Sequence, residues 1–526
     1  LFLGESGAAF RAQRPLRGPA DDLPPPDIGP FVLYRPGRQG KGPPILGIFD
    51  IADDLSRWVE DAQEGLSGLT EPHLRLGVTG LARAGKTVFI TSLVANLLDR
   101  GRMLHLDAQS EGRILAAALR PGPDRETPRF DFEGHRAALL GPEPHWPTST
   151  RNVSTLRLSF RTRPGGLLGG LTGPGALHLD ITDYPGEWLL DLPLMSQSYA
   201  EWSARAIAEA QEPARAPLAE DWLRLAHDLA EKPLEEADAR ALAAAFTAYL
   251  GACREAGLSG LAPGRFLMPG ELEGSPALAF APLPPGPRKG LRNELDRRFE
   301  AYKRAVVRPF FRDHFAKLDR QVVLVDLLGA LDSGPAAVED LRRALPRILE
   351  AFRPGDRSWL APLLGRRIDR VLFAATKADH IHHTQHDRLT AILRALLREA
   401  EDRAAFKGAK TRAMAIAAIR ATTEQEVMRD GRALPCVRGR LAETGREAAL
   451  FPGDLPESPS EVLEAARHGT KAGQGSEAGQ GSEAGWLEGG FRAMTFSPPK
   501  LSLKPGDGPP HVRLDRAAQF LLGDKL

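Results

Sequence analysis

The segment Gly80 to Thr87 reads G-x-x-x-x-G-K-T, and these residue types at this spacing are suited to holding a row of phosphates. Gly80 and Gly85 let the backbone curl so that successive N–H groups converge on phosphate oxygens, where a side chain would crowd the nest. Lys86 is long enough to reach the β- and γ-phosphates, and the Thr87 hydroxyl is a ligand for Mg²⁺. Further along, Asp183-Tyr184-Pro185-Gly186 is D-x-x-G. In nucleotide switches such an aspartate holds Mg²⁺ through water and the glycine N–H meets the γ-phosphate. A bland reading of the same residues is an acidic turn shaped by Pro-Gly.

Two more stretches carry chemistry. Thr376-Lys377-Ala378-Asp379 resembles N-K-x-D, in which the carboxylate accepts hydrogen bonds from guanine N1 and N2 while the lysine stem covers the base. Adenine lacks the matching donors. Thr in the first position loses an amide that bridges loop segments. Arg420-Ala421-Thr422 follows an apolar stretch and could bring the Ala421 N–H to the guanine oxygen. Asp326-Leu327-Leu328-Gly329 is a second D-x-x-G that competes with Asp183 for Mg²⁺. It ranks second because a buried aspartate after a plain strand can instead cap the next turn. His380, His382, His383 and His386 are close enough to suggest a metal site, but they lack cysteine or a helix-framed pair and are expected in an exposed loop.

The elements that must position these groups follow from hydrophobic periodicity. Leu74, Leu76 and Val78 alternate as a short strand before the phosphate loop, and Val88, Phe89, Val94, Leu97 and Leu98 form a helical stripe after it. The context required of a phosphate loop, strand then helix, is met. Residues 153–160 and 177–182 predict an antiparallel hairpin with a Gly-rich link over 161–174. Residues 322–326 read as a strand buried on both faces. A helix over 336–352, a strand starting at Arg370, a helix over 391–399 and a strand over 414–419 complete an α/β pattern.

From 196 to 315 the composition shifts to Ala, Leu, Glu and Arg in helical registers, interrupted over 263–290. A helical insertion is expected, with Trp202, Ile207, Trp222, Leu225, Leu229, Leu242, Phe246 and Leu250 in its core. The expected organisation is a Pro/Gly-rich disordered arm (1–48), the first part of a nucleotide domain (49–195) opening with an amphipathic helix over 51–66, the insertion (196–315), and the second part of the domain (316–465). A low-complexity linker containing two AGQGSE repeats (466–490) and a C-terminal segment docking on the core (491–526) follow.

Composition narrows the function classes. Lys plus Arg at 69 against Asp plus Glu at 68 leaves a formal charge of +1, so no global field favours nucleic acid or an anionic membrane. Peripheral membrane association through a local patch stays open. Two cysteines far apart in sequence fit a reducing compartment, and a cytoplasmic location is the default. No run approaches the ~18 apolar residues of a membrane span. No signal peptide is legible over residues 1–30. The chain does not begin with Met, as expected of a fragment or an incomplete gene model.

Taken together, GLARAGKTVFITSLVANLL, WPTST followed by VSTLRL, LDITDYPGEWLLDLPL, VVLVDLLGALDSG, ATKADH and the ending HVRLDRAAQFLLGDKL resemble the YcjX family of bacterial P-loop proteins, domain of unknown function 463. The match runs from about residue 71 to 526. The resemblance implies a Ras-like P-loop NTPase fold: a mostly parallel sheet flanked by helices, with a large α-helical insertion after the second switch. It also implies GTP or GDP as ligand with Mg²⁺ and a link to bacterial stress response, although the family is sometimes described as ATPases. Carried over by position, Gly80, Arg83, Ala84, Gly85, Lys86, Thr87 and Val88 surround the phosphates. Thr148 or Thr150 is the switch threonine that joins Thr87 and Asp183 at the metal, Asp183 and Gly186 form the second switch, and Thr376, Lys377, Asp379 and Ala421 face the base.

One departure stands out. Glu187 follows the D-x-x-G where an efficient Ras-like GTPase places Gln to orient the attacking water. An anion there should repel the nucleophile, so slow turnover is expected unless Arg83, Arg151 or a partner supplies positive charge. The leading expectation is a slow GTP-hydrolysing switch that acts on an unknown protein partner through the helical insertion. The alternatives are an ATPase on the same loop, or a nucleotide-dependent protein-binding module with negligible turnover.

Overall fold

The computed structural model describes residues 71–526 apart from 82, 125, 149–151, 164–174, 352–367, 404–408, 430 and 473–490. The expected arm over 1–48, the helix over 51–66, most of the link over 161–174, Thr150, Arg151 and nearly all of the AGQGSE tract lie outside the described residues.

A seven-stranded sheet runs in the order β2-β3-β4-β1-β5-β6-β7. Its strands are β1 (His73–Gly80), β2 (Ile114–Arg120), β3 (Ser154–Thr162), β4 (Gly175–Asp183), β5 (Arg320–Val325), β6 (Arg370–Ala375) and β7 (Lys410–Ala415). The strands from β4 to β7 are mutually parallel, whereas β3 pairs antiparallel with both β2 and β4. The hairpin predicted from alternation is thus β3–β4, in register from Ser154 opposite Asp183 to Thr162 opposite Gly175.

Alternation along each strand sends residues to two separate apolar layers. Leu74, Leu76 and Val78 of β1, Val322 and Leu324 of β5, and Leu372 and Ala374 of β6 pack on one face with Phe89, Ile90, Leu93 and Leu97 of helix α1 (Lys86–Asp99). Val323, Val325, Val371 and Phe373 point to the other face. That layer is continuous with the helices between β4 and β5, which include α3 (Tyr199–Ala210), α4 (Ala216–Leu229), α5 (Glu236–Glu255) and α6 (Gly290–Tyr302). α2 (Phe132–Leu140) lies against α1. Trp202, Trp222, Leu229, Leu242, Phe246 and Leu250 are buried as their helical registers predict, while Ile207 and Leu225 are only partly covered.

After β5 come α7 (Leu327–Ser333) and α8 (Pro335–Ala351), and after β6 comes α9 (His386–Arg403), which packs on α8. Arg215, just before α4, reaches Asp340 of α8 at 2.5 Å, and the other oxygen of that carboxylate accepts the Ser259 and Gly260 N–H groups at 2.5 and 2.8 Å. α10 (Pro459–Ala472) also packs on α8. The final helix, α11 (Leu514–Leu522), contributes Leu514, Ala518 and Leu521 to the α1 face.

Three elements differ from the sequence reading. The strand expected over 414–419 is β7, which begins at Lys410 because it pairs with β6 from Arg370 opposite Lys410 to Ala375 opposite Ala415. The apolar residues Ile416 to Ile419 belong to the loop leaving it; Ile416, Ala417 and Ile419 are buried, and the C-terminal segment meets the loop through an Ala417–Val512 bridge. β2 was not anticipated, since its sequence ILAAALR is rich in helix formers and its side chains are mostly exposed at a sheet edge. Nor was a second sheet, β10-β9-β8, formed by β8 (Thr423–Arg429), β9 (Arg432–Arg440) and β10 (Glu447–Leu450). The Asp430-Gly431 pair between β8 and β9 is a hairpin signal readable in the sequence.

Candidate functional site

β1 ends at Gly80 and α1 begins at Lys86, so the intervening turn lies at the carboxyl edge of the parallel strands. Gly85 caps the helix in the left-handed region, at φ 79°, with open space where a Cβ would stand. Arg83 is also left-handed, at φ 63°. Gly80 is tight for a different reason: a Cβ there would lie 2.8 Å from the Leu324 Cβ. Lys86 Nζ donates to the Gly80 carbonyl at 3.2 Å, which lays the side chain back along its own loop. Thr87 is buried in the first turn of α1, whose N–H groups and positive dipole end face the same turn.

The turn from Leu81 onward lines a cavity of about 650 Å³, although Gly80 itself is not on its wall. Arg83, Ala84, Gly85, Lys86, Thr87 and Val88 are on its wall, and so are Thr376, Lys377, Asp379 and Ala421, which follow strands two and three places away from β1 in the sheet. The fold therefore brings the loop after β1 together with the loops after β6 and β7. Thr376 is tied to β5 by its N–H on the Val325 carbonyl at 3.0 Å. Lys377 sits at φ 60° and its Nζ reaches Asp326 at 2.5 Å. Asp379 is buried, and its Oδ2 accepts the Ala421 N–H at 2.7 Å while Thr422 Oγ1 donates to its backbone carbonyl. The Ala421 N–H expected to face a base oxygen is thus engaged by the Asp379 carboxylate.

Asp326 is the aspartate of the competing D-x-x-G, and it caps α7 by accepting the Gly329 N–H at 3.1 Å. Its second role, as the partner of Lys377, ties it to the loop after β6, and it lines the cavity whereas Asp183 does not. Asp183 is buried at the end of β4, opposite Val78 of β1. Gly186 abuts the phosphate loop, but neither it nor Asp183 is among the cavity-lining residues. Thr148 is exposed and also absent from that lining, although its neighbours Trp146 and Pro147 are on it.

The residues after Gly186 form a buried 3₁₀ stretch, Gly186–Ser196, wedged among the helices. Tyr184 donates to Gln321 at 2.8 Å, and burial holds its phenol well above the ordinary range. Trp188 Nε1 donates to the Met268 carbonyl at 3.0 Å, and the Arg265 guanidinium lies over its ring. Asp191 accepts the Gly264 N–H and the Tyr302 hydroxyl, each at 2.6 Å, and burial pushes its carboxyl up to about 6. Glu187 is buried with its backbone against Gly264, its Oε2 finds no hydrogen-bond partner among the described residues, and it does not line the cavity.

Three of the four histidines correct the sequence expectation of an exposed loop: His380, His382 and His386 are buried, whereas His383 is exposed and its Nδ1 lies 2.7 Å from Glu424 of β8. His380 meets Phe496 edge-on and His386 Nε2 is 2.7 Å from the Ala378 carbonyl; burial lowers the pKa of both rings. Sequence reasoning missed further cavity residues, among them Trp146, Arg254, Asp332, Met494 and Phe496. Trp146 Nε1 donates to the Phe496 carbonyl at 2.8 Å, so the two form one wall. No local motif marks these positions.

Among the described residues no helix is long and apolar enough to cross a membrane. Two curated relatives are similar over most of the chain. The Ras-like GTPase YcjX of Escherichia coli (strain K12) is 38% identical over 474 residues, covering 86% of this chain and 96% of the relative. The Ras-like GTPase YcjX of Shewanella oneidensis is 35% identical over 508 residues, covering 91% of this chain and all of the relative. The profile of the YcjX-like family, DUF463, matches residues 74–526, and the chain belongs to that family.

Proposed function

We propose that this chain binds a guanine nucleotide with Mg²⁺ and hydrolyses GTP slowly, serving as a switch. The observation that carries the reading is that Gly85, Lys86 and Thr87 line the same cavity as Thr376, Lys377 and Asp379. A nucleotide needs both a phosphate nest and a base pocket, and this cavity offers candidates for each. The relatives' name, Ras-like GTPase, supports the same assignment.

The residues fit the ligands on their own chemistry. The left-handed Gly85 leaves open space where a side chain would fill the phosphate nest. Thr87 and Asp183 offer the hydroxyl and carboxylate oxygens that Mg²⁺ prefers, and the ion would supply charge neutralisation at the β- and γ-phosphates. Lys86 would leave the Gly80 carbonyl for phosphate oxygens. Asp379 presents acceptors that guanine N1 and N2 can fill and adenine cannot. Glu187 in place of a water-orienting amide supports slow turnover.

In this reading the helices between β4 and β5 are an insertion that carries the output surface, because the stretch after Gly186 is packed against them. The stress-associated role rests on the resemblance, and the protein partner on the helical insertion as an output surface. Competition of GTP and ATP against a fluorescent guanine nucleotide, with Mg²⁺ present, is the direct test. GTP should displace the probe and ATP should not; equal displacement would turn the assignment to the ATPase alternative.

A further inference from the structure

The cavity wall is not made by the three loops alone: Arg254 at the end of α5, with Gly257, Leu258 and Ser259 just after it, also lines it. Among the described residues on its wall the cations are Arg83, Lys86, Arg254 and Lys377. Lys86 and Lys377 lie on protein oxygens, and Arg83 belongs to the phosphate loop itself. Arg254 alone comes from the helices between β4 and β5. Its hydrogen-bond partner is the thioether of Met268, with Nη1 to Sδ at 3.6 Å. A thioether is a weak acceptor, so a guanidinium held this way is readily drawn to a stronger anion.

Met268 does a second thing. Its carbonyl accepts the Trp188 Nε1–H, two residues past Gly186. Four residues before Met268, the Gly264 N–H is held by Asp191 of the same 3₁₀ stretch. The loop leaving α5 is anchored at its other end, because Asp340 of α8 accepts the Ser259 and Gly260 N–H groups. Arg254 is therefore in the last turn of α5, next to a loop fixed to α8, and is coupled through Met268 to the residues that follow the D-x-x-G.

From this juxtaposition we propose that Arg254 is the residue that brings positive charge to the γ-phosphate, delivered in cis when the stretch after Gly186 responds to a triphosphate. The inference rests on the guanine-nucleotide reading above and names a source for the positive charge that the sequence left to Arg83, Arg151 or a partner. In the step it assists, a water oxygen bonds to Pγ while the bond from Pγ to the β–γ bridging oxygen breaks. The electron pair leaves with GDP, and the water protons pass to the released phosphate and to solvent. Charge developing on the equatorial and bridging oxygens would be met by the planar guanidinium, which can donate two parallel N–H bonds. Comparable arginines in nucleotide switches raise turnover by about 10³-fold or more.

Binding of a fluorescent GDP analogue with Mg²⁺, with and without aluminium fluoride, tests this on the full chain and on Arg254→Ala and Arg254→Lys. GDP alone lacks the γ-phosphate and should bind all three proteins alike, which also reports an intact fold. Aluminium fluoride, which mimics the transferring phosphoryl group, should tighten binding to the unaltered protein by about tenfold or more. That gain should vanish in Arg254→Ala and be largely lost in Arg254→Lys, with single-turnover GTP hydrolysis falling in parallel. Retention of the fluoride-dependent gain in Arg254→Ala, or its absence in the unaltered protein, overturns the proposal while leaving guanine-nucleotide binding intact. Failure of the unaltered protein to bind GDP at all overturns the underlying reading instead.

Discussion

Gly186 lies directly on Gly80: a Cβ built on Gly186 would stand 2.2 Å from the Gly80 carbonyl oxygen and 3.1 Å from its nitrogen. The D-x-x-G and the phosphate loop are thus in backbone contact before any ligand is considered. Gly186→Ala cannot be absorbed by a side-chain rotation, because the obstacle is backbone. We expect it to cost about 1–3 kcal/mol of stability through overpacking and to weaken nucleotide binding by displacing the loop. Denaturant unfolding alongside a nucleotide titration measures both, and a variant unchanged in each would show that the contact relaxes freely.

Lys86→Ala should abolish triphosphate binding and leave the fold intact. The side chain is only partly buried and its hydrogen bond is to its own loop. Normal affinity for a fluorescent triphosphate in this variant would remove the phosphate-nest assignment.

Asp379→Asn should weaken GTP by about 1.5–3 kcal/mol, the worth of a charge-assisted hydrogen bond, with little effect on ATP. The substituted amide still has an oxygen to accept the Ala421 N–H, so the loop geometry should persist. Isothermal titration with both nucleotides checks the difference; equal losses would indicate a structural rather than a base-reading role.

Asp191 makes a prediction about pH. Its carboxyl is raised from 3.8 to about 6 in the folded chain, so between those values the folded protein holds a proton that the unfolded chain has released. Stability from this group is fully present below about pH 4 and is lost as pH rises through about 6, a swing of about 3 kcal/mol. Asp191→Asn keeps a neutral group between the Gly264 N–H and the Tyr302 hydroxyl and should flatten that component. Urea unfolding at several pH values from 4 to 7, compared between the two proteins, tests it: parallel profiles would assign the dependence elsewhere.

If the D-x-x-G senses the γ-phosphate, residues 184–202 should be more protected from hydrogen exchange with a GTP analogue than with GDP. Trp188, Leu189, Leu190, Leu192 and Leu194 are all buried, so any rearrangement must repack them against the neighbouring helices. Changes confined to the phosphate loop would mean that the protein binds nucleotide without switching.

The sequence by itself determined whatever depends on residues close together in the chain. The nest from Gly80 to Thr87 is specified within one turn, since a left-handed glycine and a helix start are local properties of the backbone. The alternation of Leu74, Leu76 and Val78 and the doubly buried β5 follow from a period of two and fix which layers cover the sheet. Tertiary structure decided what local signals cannot encode. It joined Lys86 to Asp379 in one cavity, packed His380 against Phe496, engaged the Ala421 N–H with Asp379, and left Glu187 off the cavity wall. It also brought Arg254 to that cavity from a helix whose own periodicity marks it only as a partly exposed cation near a helix end. These placements depend on parallel crossovers that bring distant segments to one sheet edge, and on packing between layers, neither of which leaves a periodic trace in the residues involved.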